Sequence, residues 1–166
     1  MKIPLSVITK QTPNAPIGVF DSGLGGLTVL KSLEKILPNE SFIYLGDTAH
    51  VPYGTKSAER VILYSQLIMD FFLKYKTKAV VIACNTASAV AFQHLKRIYD
   101  IPLFDVITPS VEYSISITKT RKIGVIGTYS TIQSNVYKLV FKNLGDTCSV
   151  QEISCPLFVP IIEEGW

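Results

Sequence analysis

Short β-branched apolar runs recur along this chain, and each is followed by a segment whose apolar residues fall at helical spacing. Ile17–Phe20, Phe42–Leu45, Ala79–Ala83 and Leu103–Val106 read as strands. Leu27–Ile36, Ser57–Tyr75 and Ser88–Tyr99 read as the helices between them. In the longest, Val61, Tyr64, Ile68, Phe71 and Phe72 share one face, Ser57 is an N-cap and Glu59 suits the positive helix end. Thr108-Pro109 offers a further N-cap with proline at the first helical position. Ile123–Ile126, Thr131–Leu144 and Val150–Ile153 then continue as strand, helix and strand. Continuous apolar strands separated by helices confine the chain to an α/β fold: a parallel sheet with helices on both faces.

The pattern also repeats. Ile17-Gly18-Val19 and Ile123-Gly124-Val125 each open a strand that enters a turn and then a helix. This predicts pseudo-duplicated βα halves: an N-terminal extension over 1–15, a first α/β domain over 16–107, and part of a second over 108–166. The same offset puts a counterpart of Cys84 at about position 190, past Trp166. Pro160 reads as a first helical position with few residues after it, so the second half is expected to be incomplete.

A chain of 166 residues suffices for one domain, or one and a part. Its 48% hydrophobic content and mean hydropathy of +0.32 imply surface buried against another body, which makes a homo-oligomer an expectation. A net charge of +3, spread without a basic stripe, argues against nucleic acid as principal partner. No apolar run reaches the ~18 residues that cross a bilayer, and the start MKIPLSVITKQTPNAP does not read as a signal peptide. Three cysteines without an export signal then point to reduced thiols in the cytoplasm. Neither their spacing nor His50 and His94 makes a metal-ligand set, so no metal is expected.

Three turns carry polar residues at strand ends. Cys84 closes the run Ala79–Ala83, Asn85 follows, and Thr86 sits where a helix could start. A thiol at the carboxyl end of a parallel strand lies where α/β sheets bind ligands, and a helix N-terminus can lower its pKa. The bland alternative is a small core cysteine. Asp21-Ser22-Gly23-Leu24-Gly25-Gly26 follows the first strand and suits a carboxylate. It lacks the dinucleotide fingerprint, and Asp21 as a simple turn cap is an equal reading. Asp47, His50 and Tyr53 share the loop after the second strand, where capping and packing explain each of them. Cys148 reads as a packing residue and Cys155 as part of a structural turn.

Taken together and in this order, FDSGLGGLTVL, YLGDTAHVPYG and VIACNTAS resemble the glutamate racemases of the aspartate/glutamate racemase superfamily. IGVIGTYST and CPLFVPIIEEG resemble later segments of the same family, so the likeness runs from Ile17 to Gly165. The resemblance implies cofactor-independent interconversion of L- and D-glutamate, supplying D-glutamate for peptidoglycan. Two cysteines exchange protons at Cα, the second lying in a Cys-Thr-His motif that this sequence does not contain. By the same resemblance Cys84 is one acid/base and Asp21 assists it or meets the substrate ammonium. Ser22, Tyr53, Gly54, Asn85 and Thr86 hold the substrate's charged groups, and Glu163 is a supporting carboxylate. Rival expectations are a truncated non-catalytic binding module for an acidic amino acid or partner protein, and a racemase for aspartate.

Overall fold

The computed structural model describes residues 14–165. The expected extension over 1–15 therefore lies almost wholly outside the described residues. Strands β1 (Ile17–Asp21), β2 (Phe42–Gly46), β3 (Ala79–Ile82) and β4 (Leu103–Asp105) form one parallel sheet in the order β2-β1-β3-β4. Strands β5 (Lys122–Gly127) and β6 (Ser149–Ser154) pair in parallel as a separate two-stranded sheet.

The strand order dictates where the helices lie. The chain steps one way from β1 to β2 through α1 (Leu27–Ile36), then returns past β1 to β3 through α2 (Ala58–Lys74). It continues in that second direction to β4 through α3 (Asn85–Val90) and α4 (Phe92–Ile98). Right-handed crossovers place α1 on one face and α2 to α4 on the other. Between β1 and β3 the strand order reverses, which opens a crevice at their carboxyl ends.

The core lies between the sheet and α2. Val61, Ile68, Met69 and Phe72 are buried on the helix, against Phe20, Val80 and Ile82 of the strands. Tyr64 and Phe71 complete the helical stripe as half-buried neighbours. Gly18 matters here, because a Cβ on it would lie 2.8 Å from the Phe72 ring. Ser57 caps α2 by accepting from the Arg60 amide, with Glu59 in the first turn. Lys78 is buried and forms an ion pair with Glu40.

A smaller cluster builds the rest of the chain. Ile107 and Val111 of α5 (Ile107–Ile117) meet Phe141 of α7 (Val136–Asn143), with Ile123, Val150 and Cys148 against them. Ile126 and Ile153, paired across β5 and β6, point from the opposite face and are exposed. Gly124, the repeat counterpart of Gly18, has open space where Gly18 has Phe72.

Helix boundaries differ from expectation at five points. The helix after β3 starts at Asn85, before Thr86, because the Cys84 sulfur accepts from the Ala87 amide as its cap. That helical run is broken at Ala91 rather than continuous. Thr108 does not cap α5; the Asp105 carboxylate accepts from the Ile107 and Thr108 amides at 2.7 Å each, leaving Pro109 inside the first turn. The expected Thr131–Leu144 helix is two, α6 (Tyr129–Gln133) and α7, separated at Asn135, which adopts a left-handed φ of 54°. Pro160 is likewise the third residue of α8 (Phe158–Glu163), not the first. A proline in the first turn removes an amide that has no helical partner anyway.

Candidate active site

Asp21 ends β1 and Cys84 follows β3, so the two flank the crevice where the strand order reverses. A cavity of about 650 Å³ opens there. Asp21, Ser22, Tyr53, Gly54, Cys84, Asn85 and Thr86 all line it. The structure thus brings together every site residue expected from the sequence except Glu163, whose side chain lies outside the described ones.

Asp21 caps its own turn. Its Oδ2 accepts from the Gly23 and Gly26 amides at 3.1 Å each, which shapes the turn. The same carboxylate faces the cavity and contributes to the field at the thiol. Among the described residues lining the cavity, Asp21 is the one with a formal charge at neutral pH.

Cys84 corrects an expectation. The helix amide of Ala87 donates to its sulfur at 3.4 Å, and the thiol lies 3.5 Å from the Ser22 hydroxyl. Both interactions favour the thiolate. Burial outweighs them, and the Asp21 charge adds to it, so the thiol is pushed above its ordinary value rather than below.

Tyr53 is buried and donates to Asp47 at 2.6 Å. That carboxylate also meets His50 Nδ1 at 2.8 Å, and the His50 ring stacks on Tyr64. Burial and the Asp47 bond push the Tyr53 phenol far up, so it stays a neutral donor. Tyr44 reaches the Gly23 carbonyl at 2.9 Å; burial, then the Asp21 and Cys84 charges, raise it to about 12.

The residues missed from the sequence come from both halves, with Leu24, Thr48, Val51 and Thr55 lining the cavity from the first. Thr128, Tyr129, Pro156, Val159, Pro160 and Ile162 complete the cavity wall. Thr128, Thr131 and Thr86 hydroxyls form a closed triangle with sides of 2.9, 3.0 and 3.3 Å. Tyr137 donates to Asn85 Oδ1 at 2.8 Å and so orients that amide. The internal repeat held the signal for Thr128, because it aligns this residue with Ser22 at the same post-strand position. Cys148 packs in the smaller cluster, and Cys84 is the cysteine that lines the cavity among the described residues. Those residues hold no group of three His, Cys, Asp or Glu able to bind a metal ion, and no helix long and apolar enough to cross a membrane.

The profile of the Asp/Glu/Hydantoin racemase family matches residues 17–165. A glutamate racemase of Enterococcus faecalis is 50% identical over 147 residues, covering 89% of this chain and 54% of the relative. One from Geobacter metallireducens is 49% identical over 154 residues, covering 93% of this chain and 57% of that one. The solved glutamate racemase of Francisella tularensis in complex with D-glutamate superposes with a TM-score of 0.83 at 45% identity, over 92% of this chain and 57% of its own. A Bacillus anthracis glutamate racemase isoform superposes with a TM-score of 0.87 at 41% identity, over 90% and 56%. The chain spans about half the length of the curated relatives it matches. By this match, and with an α/β fold like that of the solved relatives, the chain belongs to the Asp/Glu/Hydantoin racemase family.

Proposed function

We propose that this chain carries the Cys84 half of a glutamate racemase site that moves a proton at Cα without a cofactor. One observation carries the reading: Asp21 and Cys84 flank the strand-order reversal and line one cavity with Ser22, Gly54, Asn85 and Thr86. Asp21 meets the substrate ammonium. Neutral donors, namely the hydroxyls of Ser22 and Thr86 and the backbone at Gly54 and Asn85, meet the carboxylates. Cys84 acts as thiolate toward one enantiomer, its sulfur taking the Cα proton while the C–H electron pair moves into the α-carboxylate. Toward the other enantiomer it acts as thiol and returns a proton. Amides near the start of α3 stabilise the charge that develops on the carboxylate. An ammonium beside Asp21 offsets the charge that raises the thiol, so substrate binding itself favours the thiolate. The opposite face of Cα requires a second acid/base, which belongs to the whole protein of this family.

The relatives named glutamate racemase support glutamate over aspartate. The two separate sheets support a division into 16–107 and 108–166. The three free thiols accord with a cytoplasmic location. The reading includes peptidoglycan supply as the destination of D-glutamate, and self-association through the exposed apolar residues. Nuclear magnetic resonance titration with L- and D-glutamate tests it: the amides of Ser22, Gly54, Asn85 and Thr86 shift together. Absence of any shift up to high millimolar ligand contradicts the substrate assignment.

A further inference from the structure

We infer that Ser130, a residue outside the cavity wall, is a positioning residue that holds the Tyr53–Gly54 turn in its binding geometry. The inference rests on the reading of Tyr53 and Gly54 as substrate residues.

The turn is short, a single 3-10 turn over Tyr53–Thr55, closed by the Lys56 amide donating to the Tyr53 carbonyl at 3.0 Å. One side is fixed from within the first half, where the Tyr53 phenol donates to Asp47. The other side is fixed from the second half. The Ser130 hydroxyl lies 2.9 Å from the Gly54 carbonyl and 3.0 Å from the Lys56 carbonyl, and shares its single proton between them. Neither carbonyl takes part in the Lys56–Tyr53 bond that closes the turn.

Packing makes the position tight as well as bonded. A Cβ on Gly54 would come within 2.5 Å of Thr128, so the backbone here rests directly on the second-half turn. Ser130 is two residues beyond Thr128 in the first turn of α6, whose N-terminus Thr128 caps by accepting from the Thr131 amide. The same short turn therefore grips two substrate-facing segments. Thr128 and Thr131 hold Thr86 through the hydroxyl triangle, and Ser130 holds Gly54. Ser130 acts only through Gly54 and Lys56, which separates it from the residues proposed to touch substrate.

The test uses the 166-residue chain as wild type, Ser130→Ala and Ser130→Thr. Amide hydrogen exchange reads the clamp without ligand, and D-glutamate titration reads its consequence. Loss of one partly buried hydrogen bond corresponds to roughly five- to tenfold. Ser130→Ala is expected to speed exchange at Gly54, Thr55 and Lys56 by about that factor, to leave Val80 and Ile82 in β3 unchanged, and to weaken D-glutamate by a similar factor. Ser130→Thr, which keeps the hydroxyl, restores both. Unchanged exchange over Gly54–Lys56 overturns the inference. Faster exchange spread equally through β3 also overturns it, because that is a general loss of stability. Local loosening with undiminished D-glutamate affinity overturns the positioning role. If wild type binds no D-glutamate, the proposed function fails, and the exchange measurement alone still decides whether Ser130 holds the turn.

Discussion

The Thr86 and Thr128 hydroxyls meet at 3.0 Å across the seam between the four-stranded and two-stranded sheets. Thr86 belongs to the helix that Cys84 caps, and Thr128 begins the turn after β5, so the bond ties the thiol's surroundings to the second half. Thr131 closes the triangle, and both Thr86 and Thr131 are buried. Removing one hydroxyl leaves the others with unmet polar groups. Thr86→Val should therefore cost about 1–3 kcal/mol in urea denaturation. The double variant Thr86→Val/Thr128→Val should cost less than the sum of the singles, because the partners are lost together. Additive losses would mean that the hydroxyls do not interact.

The thiol's chemistry gives a second prediction. With Cys84 buried beside Asp21 and raised above its ordinary value, iodoacetamide should label it more slowly at neutral pH than an unperturbed cysteine, and faster as pH rises. Asp21→Asn removes the second cause of that rise and should speed labelling at neutral pH. Peptide mapping after brief exposure reads both. Fast labelling of wild-type Cys84 at pH 7 would restore the activated resting thiol that the sequence leads one to expect.

How far the sequence reached can be judged from Cys84 and Asn135. The run Ala79–Ala83 is so plainly a buried strand that its end locates the ligand crevice, and the Asp21 and Tyr53 turns follow from the same βα alternation. Cys84 as its own helix cap was not legible, since cysteine is a poor cap and Thr86 a good one; only the folded turn brings the Ala87 amide onto sulfur. The break at Asn135 was equally hidden. Asparagine tolerates the left-handed region but does not demand it, and the apolar spacing runs on through it. Ser130 and Tyr137 were invisible for a different reason: their partners, Gly54 and Asn85, lie in the other half of the sequence.

The two repeat glycines should behave differently. Gly18→Ala drives a methyl into the Phe72 ring and should cost about 1–3 kcal/mol. Gly124→Ala meets open space and should stay within about 0.5 kcal/mol. Urea midpoints compare them directly, and equal losses would refute the difference in packing between the two strands.

Alkaline stability follows from Tyr44 and Tyr99. Burial raises both from 10.0 to about 12, aided by Asp21 and Cys84 at Tyr44 and by the bond to Asp70 at Tyr99. The unfolded chain then loses these protons near pH 10 while the folded chain keeps them to about 12. Their contribution is complete below pH 10 and is lost as pH rises through about 12. The double variant Tyr44→Phe/Tyr99→Phe should show a shallower fall in urea midpoint between pH 9 and 11 than wild type. Parallel slopes would contradict it.

The central claim, that Cys84 exchanges a proton with Cα of bound glutamate, is tested most directly by incubating the 166-residue chain with each glutamate enantiomer in deuterated water. Proton resonance and chiral chromatography then follow the Cα hydrogen and its configuration. The account predicts deuterium at Cα of one enantiomer with its configuration retained. It also predicts loss of that exchange in Cys84→Ser, because an alcohol is far too weak an acid to replace the thiol. Exchange that persists at the wild-type rate in Cys84→Ser, or no exchange of either enantiomer by wild type, would contradict it.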